Sequence, residues 1–69
     1  MNNPLPLADR EIILEFHPVG AIVRVTAMDT MTLTEVSIQG PASTPQKILE
    51  RNALKRLEYV MIKQGLIKA

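Results

Sequence analysis

The chain has 69 residues, one histidine, no cysteine and a net charge of +1. That length holds one domain, which buries only about 60% of its unfolded surface, so stability is marginal. Without thiols, disulfides and thiolate metal sites are excluded, and a single histidine does not build a metal site, so no cofactor is expected.

Residues 1–10 contain Asn2, Asn3, Pro4 and Pro6 and predict a flexible arm, with Leu5 and Leu7 tucked on the domain. The arm lacks the basic region and apolar core of a secretory signal, and no stretch approaches the length of a membrane span. A cytoplasmic protein with no membrane contact is the expectation. Residues 11–69 then read as one domain. Residues 11–17 alternate, with Ile12, Leu14 and Phe16 on one face and Ile13, Glu15 and His17 on the other. Pro18-Val19-Gly20 signals a turn. Residues 21–28 alternate again, with Val23, Val25 and Ala27 opposed to Ile22, Arg24, Thr26 and Met28. Asp29 to Thr32 reads as a four-residue loop. Residues 33–39 form a third strand, with Thr34, Val36 and Ile38 on one face and Leu33, Glu35, Ser37 and Gln39 on the other.

With loops of even length, Phe16 faces Val23, Leu14 faces Val25, Val25 faces Val36 and Val23 faces Ile38, all on one side of the sheet. The same register sets Arg24 between Glu15 and Ser37, and Met28 opposite Leu33. Gly40 to Pro45 ends the strand. Thr44 fits an N-cap and Pro45 the first position of a helix running to Gln64, with Gly65 as a left-handed cap and Leu66 reaching Met61. Leu49, Ala53, Leu54, Leu57, Val60 and Met61 fall on one broad stripe of that helix. The fold class is therefore α+β: a three-stranded antiparallel meander of order 1-2-3 with one C-terminal helix packed on one face.

No catalytic constellation is visible. Ser37 and Ser43 have no histidine near them in sequence, and Gly20, Gly40 and Gly65 are dispersed at turns rather than gathered into a phosphate loop. An enzyme is not expected. His17 reads as a solvated residue at the end of an edge strand, or else as a pH-sensitive contact. Charge is unevenly divided. Residues 1–44 carry Arg10 and Arg24 against Asp9, Glu11, Glu15, Asp29 and Glu35, a net of −3. Residues 45–69 carry Lys47, Arg51, Lys55, Arg56, Lys63 and Lys68 against Glu50 and Glu58, a net of +4.

Two surfaces are candidates for binding. On the outer sheet face, Ile13, Ile22, Met28 and Leu33 point away from the helix, which suits a protein partner or a homodimer formed through that face or the open edge strands. On the helix, Lys47, Arg51 and Lys55 stack at four-residue spacing with Tyr59 one turn further on. Like charges at that spacing cost about 0.2–0.5 kcal/mol per pair in an isolated helix. A basic face with an aromatic ring suits weak contact with nucleic acid, and a merely solvated face supported by the helix dipole is the other reading.

The segment Val25 to Asp29, the run Thr34-Glu35-Val36-Ser37-Ile38-Gln39-Gly40-Pro41-Ala42 and the helical Ala53 to Tyr59 resemble a family of short uncharacterised bacterial proteins. That resemblance covers most of the chain after the arm and implies no activity or site residues. The order β-β-β-α with a polar loop before a basic helix is also similar to the latter part of a double-stranded-RNA-binding domain. That family adds a helix before the sheet and a lysine cluster at the start of the last helix. Here only Lys47 and Arg51 lie near the cluster's position, and the arm's prolines oppose the first helix. The leading expectation is a small non-enzymatic protein-interaction module, with nucleic-acid binding as the alternative.

Overall fold

The computed structural model describes residues 7–68. Among these residues three strands, β1 (Ile12–Val19), β2 (Ile22–Asp29) and β3 (Glu35–Pro41), form one antiparallel sheet in that order, followed by a single helix, α1 (Gln46–Lys63). This is the α+β meander expected from the alternation and the helical stripe. The helix lies across one face and packs mainly on β2 and β3.

Side-chain alternation sets the two faces. Ile12, Leu14 and Phe16 share the helix side with Val23, Val25, Ala27, Val36 and Ile38. Leu49, Ala53, Leu54, Leu57 and Met61 close the core from above, with Val60 partly buried beside them. Leu7 is fully buried in the same cluster, so the packed body takes in the end of the arm. The expectations for residues 1–6, Leu5 included, lie outside the described residues. At the other end, Gly40 sits so close beneath the helix that a Cβ built there would meet Leu49 Cδ2 at 2.8 Å.

The register differs from the expected one by two residues in each hairpin. Phe16 pairs with Val25 and Leu14 with Ala27, while Val25 pairs with Ile38 and Ala27 with Val36. Arg24 consequently lies between His17 and Gln39, and Met28 between Ile13 and Glu35. The cause in the first hairpin is that Pro18 and Val19 extend β1, and the turn is only Gly20-Ala21. Gly20 at φ 60 followed by a residue with negative φ is the pattern of a type II′ turn, which matches strand twist. In the second hairpin the loop has the expected four residues but is slid one place, to Thr30–Leu33, so Thr34 rather than Leu33 is the first residue bonded back to β2. Both loops remain even, which is why every face assignment survives the shift.

The helix ends as its sequence requires. Leu66 N–H donates to Met61 O at 2.9 Å and Gly65 N–H to Ile62 O at 3.0 Å, with Gly65 at φ 75, the full Schellman pattern. The start differs. Pro45, at φ −56 and ψ 139, is itself the N-cap, and no side chain caps the first turn. Thr44 is drawn away because its N–H donates to Pro41 O at 3.0 Å in the preceding turn. Among the described residues no helix precedes the sheet.

Candidate functional site

The two edges of the sheet are built differently, and the backbone bonding shows how. Asp29 N–H donates to Thr34 O at 2.9 Å and Ala42 N–H to Ala21 O at 2.8 Å, so the odd-numbered residues of β2 bond to β3. Thr30 N–H donates to Glu11 O at 3.2 Å, so the even-numbered ones bond to β1. Antiparallel ladders alternate bonded and non-bonded pairs. The outward-pointing groups of β1 are therefore those of Ile12, Leu14, Phe16 and Pro18, and those of β3 belong to Glu35, Ser37, Gln39 and Pro41. Both prolines stand where a missing N–H costs the sheet no bond, and each ends the bonding capacity of its edge.

On β1, the residues with outward backbone groups are also the apolar ones facing the helix side. Because α1 sits over β2 and β3, Ile12, Leu14 and Phe16 remain only half-buried. On β3 the outward groups belong to polar residues of the opposite face, and the inward Val36 is buried under the helix. No described segment pairs with either edge.

The outer face carries three of the four apolar residues expected there, interleaved with polar ones. Ile13 and Met28 are cross-strand neighbours at one end; Ile22 pairs with Val19 at the other. Between them run two polar rows, His17–Arg24–Gln39 and Glu15–Thr26–Ser37. His17 Nε2 lies 3.5 Å from Glu15 Oε1 along the edge strand. Leu33 is not on the face at all. It occupies the β2–β3 loop at φ 61, 69% exposed, close in sequence to Met31 at 82%. A left-handed backbone is costly for a branched side chain.

Asp29 holds that loop in place, a role its position in a predicted turn did not reveal. Its side chain points to the helix side and is fully buried. Oδ2 accepts bonds from Thr32 N–H at 2.9 Å, Thr32 Oγ1 at 2.8 Å and Arg10 Nη1 at 3.0 Å, while Oδ1 is buried without a partner among the described residues. Burial pushes the carboxyl upward. The Thr32 hydroxyl and N–H and the Arg10 guanidinium outweigh that and hold it below its ordinary value. Leu33 N–H donates to Asp29 O at 2.8 Å, which closes the loop on itself.

The helix surface carries Lys47, Arg51, Lys55 and Tyr59 along one exposed line, as their spacing predicts. None of the three cations is within ion-pair distance of a described carboxylate. Arg56 and Lys63 flank the Tyr59 ring at 5.6 and 5.7 Å from its centroid, so the ring is already engaged by cations of its own helix. Among the described residues no cluster of three or more His, Asp or Glu side chains is placed to hold a metal. Among the described residues no helix is long and apolar enough to cross a membrane.

Residues 9–64 match the family described as Domain of unknown function (DUF6898). No curated protein and no solved structure matches the chain.

Proposed function

The chain belongs to that family, and from its surface geometry we propose that the domain is a protein-binding module whose partner adds a strand along the open edge of β1. The observation that supports this reading is the coincidence of two properties on one edge. Ile12, Leu14 and Phe16 direct outward N–H and C=O groups that no described segment pairs with, and their half-buried side chains offer apolar surface to whatever pairs with them. Backbone bonds give a strand-adding partner affinity, and alternate side chains give it specificity. The edge of β3 has the bonds without the apolar strip, and the outer face has apolar residues split by two polar rows.

A photo-reactive phenylalanine analogue placed at Glu15, on β1, or at Gln39, on β3, separates these surfaces in the native host. A covalent protein adduct from Glu15 and none from Gln39 is the expected result. Adducts from Gln39 alone, or from neither position, contradict the reading.

The exposed line Lys47, Arg51, Lys55 and Tyr59 favours a second reading, contact with a single-stranded nucleic acid through phosphates. Amide shifts on α1 would then appear with an oligonucleotide at low salt and vanish steeply as salt rises. No shift at low salt rules it out.

A further inference from the structure

We propose that the partner on β1 is a second copy of this chain, paired antiparallel about Leu14. The proposal rests on the edge reading above and names its occupant. A two-fold axis through the edge admits few registers, and the residues choose among them. With Leu14 opposite Leu14 of the second copy, Ile12 lies opposite Phe16 and Phe16 opposite Ile12. All three outward residues then bond to one another, and Pro18, which has no N–H, falls outside the ladder. Sliding the axis by one residue toward Glu15 sets Glu15 against Glu15 and brings Pro18 into the ladder, and sliding it toward Ile13 sets Glu11 against Glu15 and leaves Phe16 opposite Arg10, before the start of the strand. Sliding it by two pairs Leu14 with Pro18. Only the Leu14-centred register uses every outward group that has both a donor and an acceptor.

The side chains agree with that register. On the helix side, Leu14 meets its own copy and each Ile12 meets a Phe16, so the apolar strip of one copy covers that of the other. On the outer face, Ile13 lies opposite Glu15 and Glu11 opposite His17, with no like charges facing. The helices also leave room. Placed over β2 and β3, each stands about one and a half strands from the edge, which at about 4.8 Å per strand separates the two axes by about 19 Å. Helices are about 10 Å wide, so they do not collide. The trough between them is floored by the paired Ile12, Leu14 and Phe16.

The charge pattern supplies a test that leaves the monomer intact. Ile13 is 44% exposed, so replacing it leaves the core in place. Ile13→Glu sets a carboxylate against Glu15 of the second copy, and Ile13→Lys sets an ammonium there. Sedimentation equilibrium of the full chain up to millimolar concentration should show a dimer. Ile13→Glu should weaken it roughly tenfold, because the two-fold axis repeats each repulsive pair, and Ile13→Lys should not. A strict monomer, or equal weakening by both variants, overturns the second copy as partner. The cross-link at Glu15 then separates the two claims. An adduct with a different protein overturns the self-pairing and leaves the edge reading standing. A monomer with no adduct overturns both.

Discussion

Asp29 occupies a position on the helix side of β2 where alternation alone would place an apolar residue, and it is accepted there because its charge is shared among Thr32 and Arg10. Its folded carboxyl titrates below its unfolded value, so the stabilisation is fully present above the unfolded value of about 4 and is lost as pH falls through the lower folded value. Urea titrations from neutral pH down into that acid range should show stability falling in the wild type. In Asp29→Asn the neutral-pH stability should be lower by about 1–2 kcal/mol and the acid slope flatter. An unchanged acid slope would remove Asp29 from the account. Leu33 is the opposite case, a residue whose conformation is unfavourable and whose side chain is mostly in water. Leu33→Gly should raise stability by about 1 kcal/mol, the relief of a left-handed backbone less the added freedom of the unfolded chain. Thermal melts measure this directly, and a lower Tm would mean that the exposed side chain contributes more than the backbone strain costs.

Among the elements, α1 is well finished at one end and poorly at the other. The Schellman bonds of Gly65 and Leu66 satisfy the last carbonyls, but the first turn has no side-chain cap, no acid, and Lys47 beside the positive end of the dipole. Lys47→Glu should therefore stabilise the domain by about 0.5 kcal/mol, read as a higher urea midpoint, and a lower midpoint would contradict the dipole argument. The C-terminal cap was legible because glycine announces it. The N-cap was not, since Pro45 has the same φ at the cap or just inside the helix and only ψ tells them apart. The strands show a similar division. Alternation and even loops fix parity, so the sequence alone puts Ile12, Leu14, Phe16, Val23, Val25, Val36 and Ile38 on the face where the structure has them. The register is not legible because Pro18 reads as a breaker, when it is an edge residue whose missing N–H faces outward, and because nothing in the sequence moves the second loop on to Leu33. Leu33 falls in the predicted strand because the usual glycine or asparagine signal of a left-handed position is absent. Among the candidate site residues, alternation places Ile13, Met28 and Ile22 on the correct face and puts Ile13 and Ile22 at opposite ends, but that Met28 lies opposite Ile13 depends on the register.

At the scale of the molecule, one asymmetry organises everything else. A single helix cannot cover three strands evenly, and here it covers β2 and β3, with Leu7 buried in the same core. Coverage ends at β1, the strand whose outward backbone and half-buried side chains coincide. A domain of this size has a small core, and partner burial is a common route to added stability. The basic surface of α1 lies on the far side of the helix from the sheet, so occupation of the β1 edge leaves it in solvent. The most direct measurement is residue-resolved amide hydrogen exchange of the full chain across a dilution series. The account predicts that the Leu14 and Phe16 amides exchange rapidly when dilute and slow as concentration rises, while those of Ser37 and Gln39 on the β3 edge stay fast throughout. Rapid exchange at Leu14 and Phe16 at every concentration, with protection appearing instead at Ser37 and Gln39, would contradict it.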